Sequence, residues 1–314
     1  MLQLQPEQLL KTRVPNRIGA TLFIALVFLD LGRAGAEDYA ARYKQFQEQK
    51  APDAQVEPFL NEWREKAPND PEAWVASANH YFNKGQVLIS TKPPGKGDFS
   101  VNNAKTGKQA GSISFEQDKP SVKHAADLLQ EATTKFPDRL DIWCGLAFIE
   151  QESGDFDGEA LTLGKMVAYA RDHPATLKWL KGEKLPASAD QFIPDKLHSY
   201  ALYYEKKENP EDDKRFMQIA TFSTEQFPNH PYAFNDVAMY YSLQNDNAKT
   251  REWLEKANKI DPSDTLVMTN LGYVCAKLGD TAAARKWYEA VIRVDPNGEH
   301  TERAKEALGK LKKK

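Results

Sequence analysis

Six histidines, two cysteines and one lysine-rich loop carry the most reactive side chains in this sequence, and their spacing limits what chemistry they can do. His80, His124, His173, His198, His230 and His300 contain no H-E-x-x-H pair, the arrangement that puts two imidazoles one helical turn apart to hold a metal. His80 and His124 flank a non-helical stretch and could meet in space, but an isolated histidine on a helix more often packs or faces solvent. No Gly-x-Ser-x-Gly elbow is present. "KTGKQ" (105–109) prompts a phosphate-loop reading, yet Asn102, Asn103 and Gln109 do not complete that motif. Glu211, Asp212 and Asp213 in "PEDDK" fall in the first turn of a helix, where negative charge suits the dipole. That is a structural role rather than an acid–base pair. Cys144 and Cys275 belong to helices several repeats apart, whereas a disulfide needs Cα atoms within about 7 Å. Both read as small buried apolar residues. The expectation is a non-catalytic protein with no metal and no cofactor.

The elements that would position these groups begin after a distinctive N-terminus. Lys11, Arg13 and Arg17 precede the apolar run "IGATLFIALVFL" (18–29), and Ala34 and Ala36 follow in an A-x-A arrangement. This predicts a signal peptide over 1–36, cleaved after Ala36. The rival, an uncleaved anchor, has only 12 apolar residues where a span takes about 20. The expected location is the periplasm of a bacterial envelope, or the exterior. Removing 1–36 leaves 38 basic and 43 acidic groups, net −5, which argues against nucleic acid. The processed chain is expected to be a monomer with no membrane contact.

Prolines then mark a period. Pro194, Pro228, Pro262 and Pro296 lie 34 residues apart. In 231–264, Phe234, Val237, Ala238 and Tyr241 share one helical face, Asn245-Asp246 breaks the helix, and Thr250, Leu254 and Ala257 form a second stripe. In 265–298 the same places hold Met268, Leu271, Gly272 and Cys275, then Gly279-Asp280, then Ala284, Tyr288 and Val291. A period of this length signals stacked supersecondary units.

On Leu271, Gly272, Gly279, Ala284, Tyr288 and Pro296 the chain resembles the tetratricopeptide repeat (TPR) family. Met268 and Cys275 stand where that family favours Trp and Tyr. Earlier units are weaker. Trp74, Ala78, Tyr81 and Gly85 look like a first helix whose partner, with Ala125, Leu129 and Ala132, comes 35 residues late. Trp143, Leu146, Ala147 and Gly154 open another unit, whose second helix carries Ala160 one position late. The 197–230 unit shows only Phe216 and Ala220. The resemblance implies an all-α, right-handed superhelical solenoid of about six helix pairs. Its expected divisions are a helix pair over 37–69, repeats over 70–172, a linker at 173–194, repeats over 195–298 and a capping helix over 299–314. Within 86–120, "VLIS" and "SISF" suggest two short strands of an irregular or β-hairpin insertion, either a partner-contacting element or a tolerated one.

The resemblance also implies a concave wall of first helices that binds a protein or peptide. Its groove positions become Val75, Asn79 and Phe82; Phe148 and Gln151; Tyr232, Asn235, Met239 and Leu243; and Thr269, Tyr273 and Lys277. Val75 stands where a carboxylate-clamping repeat would carry Lys, which speaks against that partner type. Two functions follow: an exported, non-catalytic scaffold, or an enzyme of unassigned class with its site near 86–120. Convergent buried polar groups beside the insertion would favour the second, and a lone exposed hairpin the first.

Overall fold

The computed structural model describes residues 38–95, 99–104, 106–205 and 210–311. The predicted signal peptide and the last three lysines lie outside them. Two compact units divide the chain between Leu185 and Pro186.

The first unit pairs α1 (Tyr39–Glu48) with α2 (Asp53–Lys66), α3 (Pro71–Phe82) with α4 (Lys119–Lys135), and α5 (Leu140–Ser153) with α6 (Phe156–Asp172). Between α3 and α4 runs a three-stranded antiparallel sheet, β1 (Gly85–Ser90), β2 (Phe99–Asn102) and β3 (Gln109–Gln117), in the order β1-β3-β2. The unit closes with β4 (Lys178–Trp179), one 3-10 turn and β5 (Glu183–Lys184). The second unit pairs α7 (Ala189–Glu205) with α8 (Pro210–Gln226), α9 (Pro231–Leu243) with α10 (Asn247–Ile260), and α11 (Thr265–Lys277) with α12 (Thr281–Val294), followed by α13 (Thr301–Leu311). The architecture is therefore all-α and of TPR-solenoid type. Among the described residues it has six helix pairs and a small sheet insertion.

Local chemistry explains the helix boundaries. Asp38, Asp70, Asp118, Asp155, Asp246, Asp264 and Asp280 each accept a hydrogen bond from a backbone N–H in the first turn of the helix that follows. Those N–H groups have no partner inside the helix, so each cap contributes about 1 kcal/mol. Asp70 has a second role, because its other oxygen accepts the indole N–H of the buried Trp63 at 2.9 Å. Gly154 and Gly279 end α5 and α11 in the left-handed region, at φ +80°. Pro228, Pro262 and Pro296 lie in turns just after helices.

Two details differ from the sequence reading. Pro194 lies inside α7, which begins at Ala189 within the stretch read as linker. Burial of Phe192, Ile193 and Leu197 on that helix outweighs the hydrogen bond that proline removes. The insertion has a third strand, β2, whose Phe-Ser-Val-Asn alternation lies within the Gly- and Asn-rich stretch between the two expected strands.

Packing is tightest between paired helices. A Cβ built on Gly272 in α11 would lie 2.6 Å from the Tyr288 ring of α12. Tyr288, Cys275, Ala284 and Val291 are buried there, with Ala304 of α13 against them. Gly272→Ala should therefore lower stability by about 1–3 kcal/mol through overpacking, despite alanine's better helix propensity. A urea midpoint equal to or above that of the parent chain would rule this account out.

Candidate functional site

In the second unit, the first helices α9 and α11 carry the groove positions inferred above. Asn235, Met239 and Thr269 are buried. The Asn270 side-chain amide donates to the Asn235 oxygen at 3.4 Å, and the Thr269 hydroxyl donates to its own helix at Thr265. These polar groups are occupied inside the fold. Tyr232, Leu243 and Tyr273 are half-buried and Lys277 is exposed, with its Nζ 5.3 Å from the Tyr273 ring centre. In the first unit Val75, Phe82 and Gln151 are buried, while Asn79 and Phe148 are half-buried. The Gln151 amide donates to Glu159 at 2.5 Å, and the Phe82 and Phe148 rings meet edge-on at 5.6 Å. Asn79, Phe148, Tyr232, Leu243, Tyr273 and Lys277 thus keep surface for a ligand.

Beside Tyr232 lies a pair that histidine spacing does not reveal. His198 Nδ1 of α7 is 2.7 Å from Asp236 Oδ1 of α9, and both side chains are buried. Burial alone would lower the His198 pKa, but Asp236 overcomes it and the net shift is upward. The Tyr232 ring stands 6.3 Å from His198 and 5.3 Å from His230. Burial lowers the His230 pKa and raises that of the Tyr232 phenol.

A second constellation occupies the first unit, at the foot of the sheet. Asp53 and Glu57 sit one turn apart on α2; His80 and Lys84 are four residues apart at the end of α3. Lys84 Nζ bonds Asp53 at 2.9 Å and makes a closer bond to Glu57. His80 Nε2 is 3.6 Å from Asp53 and 3.8 Å from Glu57, too far for hydrogen bonds. Burial, then Lys84, push the His80 pKa down against the pull of the carboxylates. Asp53, His80 and Lys84 line a cleft of about 930 Å³ that also reaches Gln86 and Glu116. Asp53, Glu57 and His80 could together ligate a divalent metal, but only if Lys84 withdrew, because its ammonium already bonds both carboxylates. His124 does not join them: its ring meets Tyr81 edge-on at 4.4 Å. Each half of this cluster is visible in the sequence as an i, i+4 pair; the register between the two helices is not.

Residues 267–297, spanning most of α11 and α12, match the tetratricopeptide repeat family. The chain carries a tetratricopeptide repeat. No curated protein matches it significantly. Among solved structures, TTC0263, a thermophilic TPR protein of Thermus thermophilus, is 14% identical with a TM-score of 0.38, over 60% of this chain and 91% of its own. MamA protein is 16% identical with a TM-score of 0.37, over 55% and 80%. The Sgt2 TPR domain from Aspergillus fumigatus is 23% identical with a TM-score of 0.35, over 38% and 77%. The matched repeat contains Thr269, Tyr273 and Lys277, three of the groove positions.

Two buried acid–base sites both make stability fall as pH rises, and substitution acts in opposite senses at the two. Glu150, in α5, has its carboxyl pushed from 4.5 up to about 7 by burial, against a hydrogen bond from Thr162. Ionising it opposes folding, so stability from this site is intact below 4.5 and falls as pH rises through about 7. Glu150→Gln should raise stability by about 1 kcal/mol at pH 8 and change it little at pH 4.5. His198, whose pKa is raised, contributes stability that is full below its unfolded value of about 6.5 and is lost as pH rises through the folded value. Denaturant melts of His198→Gln should show the larger loss at pH 5.5 than at pH 9. A uniform loss across pH would mean the pair is not charged.

Proposed function

We propose that the chain is an exported, non-catalytic scaffold that binds a protein or peptide segment on the first helices of its repeats. The observation that carries this reading is the division of labour on α9 and α11. Asn235, Met239 and Thr269 are buried, while Tyr232, Leu243, Tyr273 and Lys277 of the same helices keep exposed surface. Tyrosine offers a large apolar face with a polar tip at low conformational cost, a combination favoured where proteins meet. Lys277, beside Tyr273, adds a cation suited to an acidic group on the ligand. The matched repeat family supports the reading, since stacked helix pairs leave one wall of first helices uncovered. Export rests on the N-terminal basic and apolar segments, and processing would place the scaffold in a bacterial envelope.

A second reading, an enzyme with its site beside the insertion, draws on the convergence of Asp53, His80 and Lys84 at the cleft, with Glu57 against them. Against it, Lys84 engages both carboxylates, so neither is left to take a proton from a substrate.

Pull-down of partners by the chain, repeated with Tyr232→Asp and Tyr273→Asp together, tests the groove. Recovery of a specific partner should fall about tenfold or more while far-UV circular dichroism is unchanged. Undiminished recovery would exclude this wall as the binding surface.

A further inference from the structure

The sheet between α3 and α4 leaves most of both faces open, its apolar one included. Directly paired residues of an antiparallel sheet project to the same face. Val87 pairs with Phe115, Ile89 with Ile113, and Phe99 with Ile113, so these apolar side chains share one face. That face is open to solvent: Val87 is 64% exposed, Ile89 79%, Phe99 76% and Phe115 55%. The opposite face carries Gln86, Ser90, Ser100, Ser112, Ser114 and Glu116 with one apolar residue, Leu88, and of these Ser112 is buried. An exposed apolar cluster of this kind marks an interaction site.

The sheet is anchored at one end and charged at the other. Near the helices, the Asp118 N–H donates to the Lys84 carbonyl at 3.0 Å, and the Gln117 amide to the Phe82 carbonyl at 3.3 Å. At the far end Lys92 follows β1 and Lys108 precedes β3, both exposed. The turn before β3 is closed by the Asn103 N–H donating to the Lys108 carbonyl at 2.8 Å. Over 91–111 the sequence has four lysines and one aspartate, in a chain whose body is net acidic.

We propose that this apolar face, with Lys92 and Lys108 at its tip, docks on the surface of an anionic lipid bilayer. Val87, Ile89, Phe99 and Phe115 would enter the headgroup boundary while the lysines meet lipid phosphates, the combination of apolar area and positive charge that holds peripheral proteins. Charge selects the occupant. Two copies meeting through this face would bring like-charged tips together, whereas an anionic surface attracts the tip and repels the acidic remainder. Side chains that protrude from a sheet also suit a fluid layer, which needs no matching pockets. Among the described residues no helix is long and apolar enough to cross a membrane, so the contact concerns the surface. The proposal departs from the expectation of no membrane contact, and the groove of α9 and α11 is not involved.

The test places an environment-sensitive dye, nitrobenzoxadiazole, at Ile89→Cys in the full chain; the native cysteines are buried. With vesicles of equal phosphatidylglycerol and phosphatidylcholine, its emission should shift to the blue and rise several-fold. Lys92→Glu with Lys108→Glu should weaken that response by about tenfold or more in lipid concentration, since each lysine near an anionic surface is worth about fivefold. Phe99→Ser, at an exposed position, should weaken it by about tenfold. Tethering by residues 18–29 alone would leave the dye in water on bound vesicles, and that result overturns the proposal. An equal response on phosphatidylcholine alone also overturns it. So does a response that grows with protein concentration without vesicles, which would assign the face to a second copy.

Discussion

Close approach between neighbouring helices is made through fully buried alanines: Ala78 in α3, Ala125 and Ala132 in α4, Ala147 in α5, Ala238 in α9, Ala257 in α10 and Ala284 in α12. Where a methyl group is the whole side chain, backbones can approach until larger neighbours such as Leu129, Leu254 and Tyr288 interlock around the crossing. Gly272 takes this to its limit against Tyr288. The same alanines favour helix over every other backbone state, so local preference and packing agree. Because each pair offers an apolar stripe on both flanks, the next pair must cover it. At the end of the second unit α13 does so, setting Ala307, Leu308 and Leu311 over the core of α11 and α12.

Polar groups inside this packing hold helices in register. Arg139 is buried and forks onto Asp141 at 2.9 and 2.8 Å, reaching Glu72 of α3 at 2.8 Å. Burial alone would lower the pKa of its guanidinium, but the two carboxylates raise it and keep the charge in place. Glu72 is pushed the other way by burial and held back by Arg139. Asn235 with Asn270, and His198 with Asp236, play a similar part in the second unit. A one-residue slip would strand any of these groups without a partner, at a penalty of a few kcal/mol. This explains why half of the positions assigned to a groove by family register turn inward. In this chain Gln151 and Asn235 bond neighbouring helices, Thr269 bonds its own helix, and Val75, Phe82 and Met239 pack in the core.

The insertion follows a different logic. It lengthens one repeat by three strands without disturbing the α3–α4 pairing, because its two ends leave and return at adjacent points, Lys84 and Asp118. Its apolar face is largely exposed, while the cleft at its foot is lined with charge. The chain thus separates two kinds of surface: tyrosines on the first helices of the second unit, and an aliphatic and aromatic sheet in the first.

By itself the sequence determined the helix pairs, their turns and the period, because these depend on interactions within a few residues. Asp246 and Asp280 cap the helix they precede, Gly279 closes the helix before it, and the stripes at Leu254 and Tyr288 recur with helical spacing. Tertiary structure alone decided which polar residues meet across elements. Asp53 and Glu57 face His80 and Lys84, and His198 reaches Asp236, only once the helices have crossed at particular angles. It also decided the orientation of the sheet, since alternation puts Val87, Ile89, Ile113 and Phe115 on one face but cannot say whether that face turns inward or out. The physical reason is range. Backbone hydrogen bonding and helix periodicity are written locally, while burial depends on what the rest of the chain brings to each face.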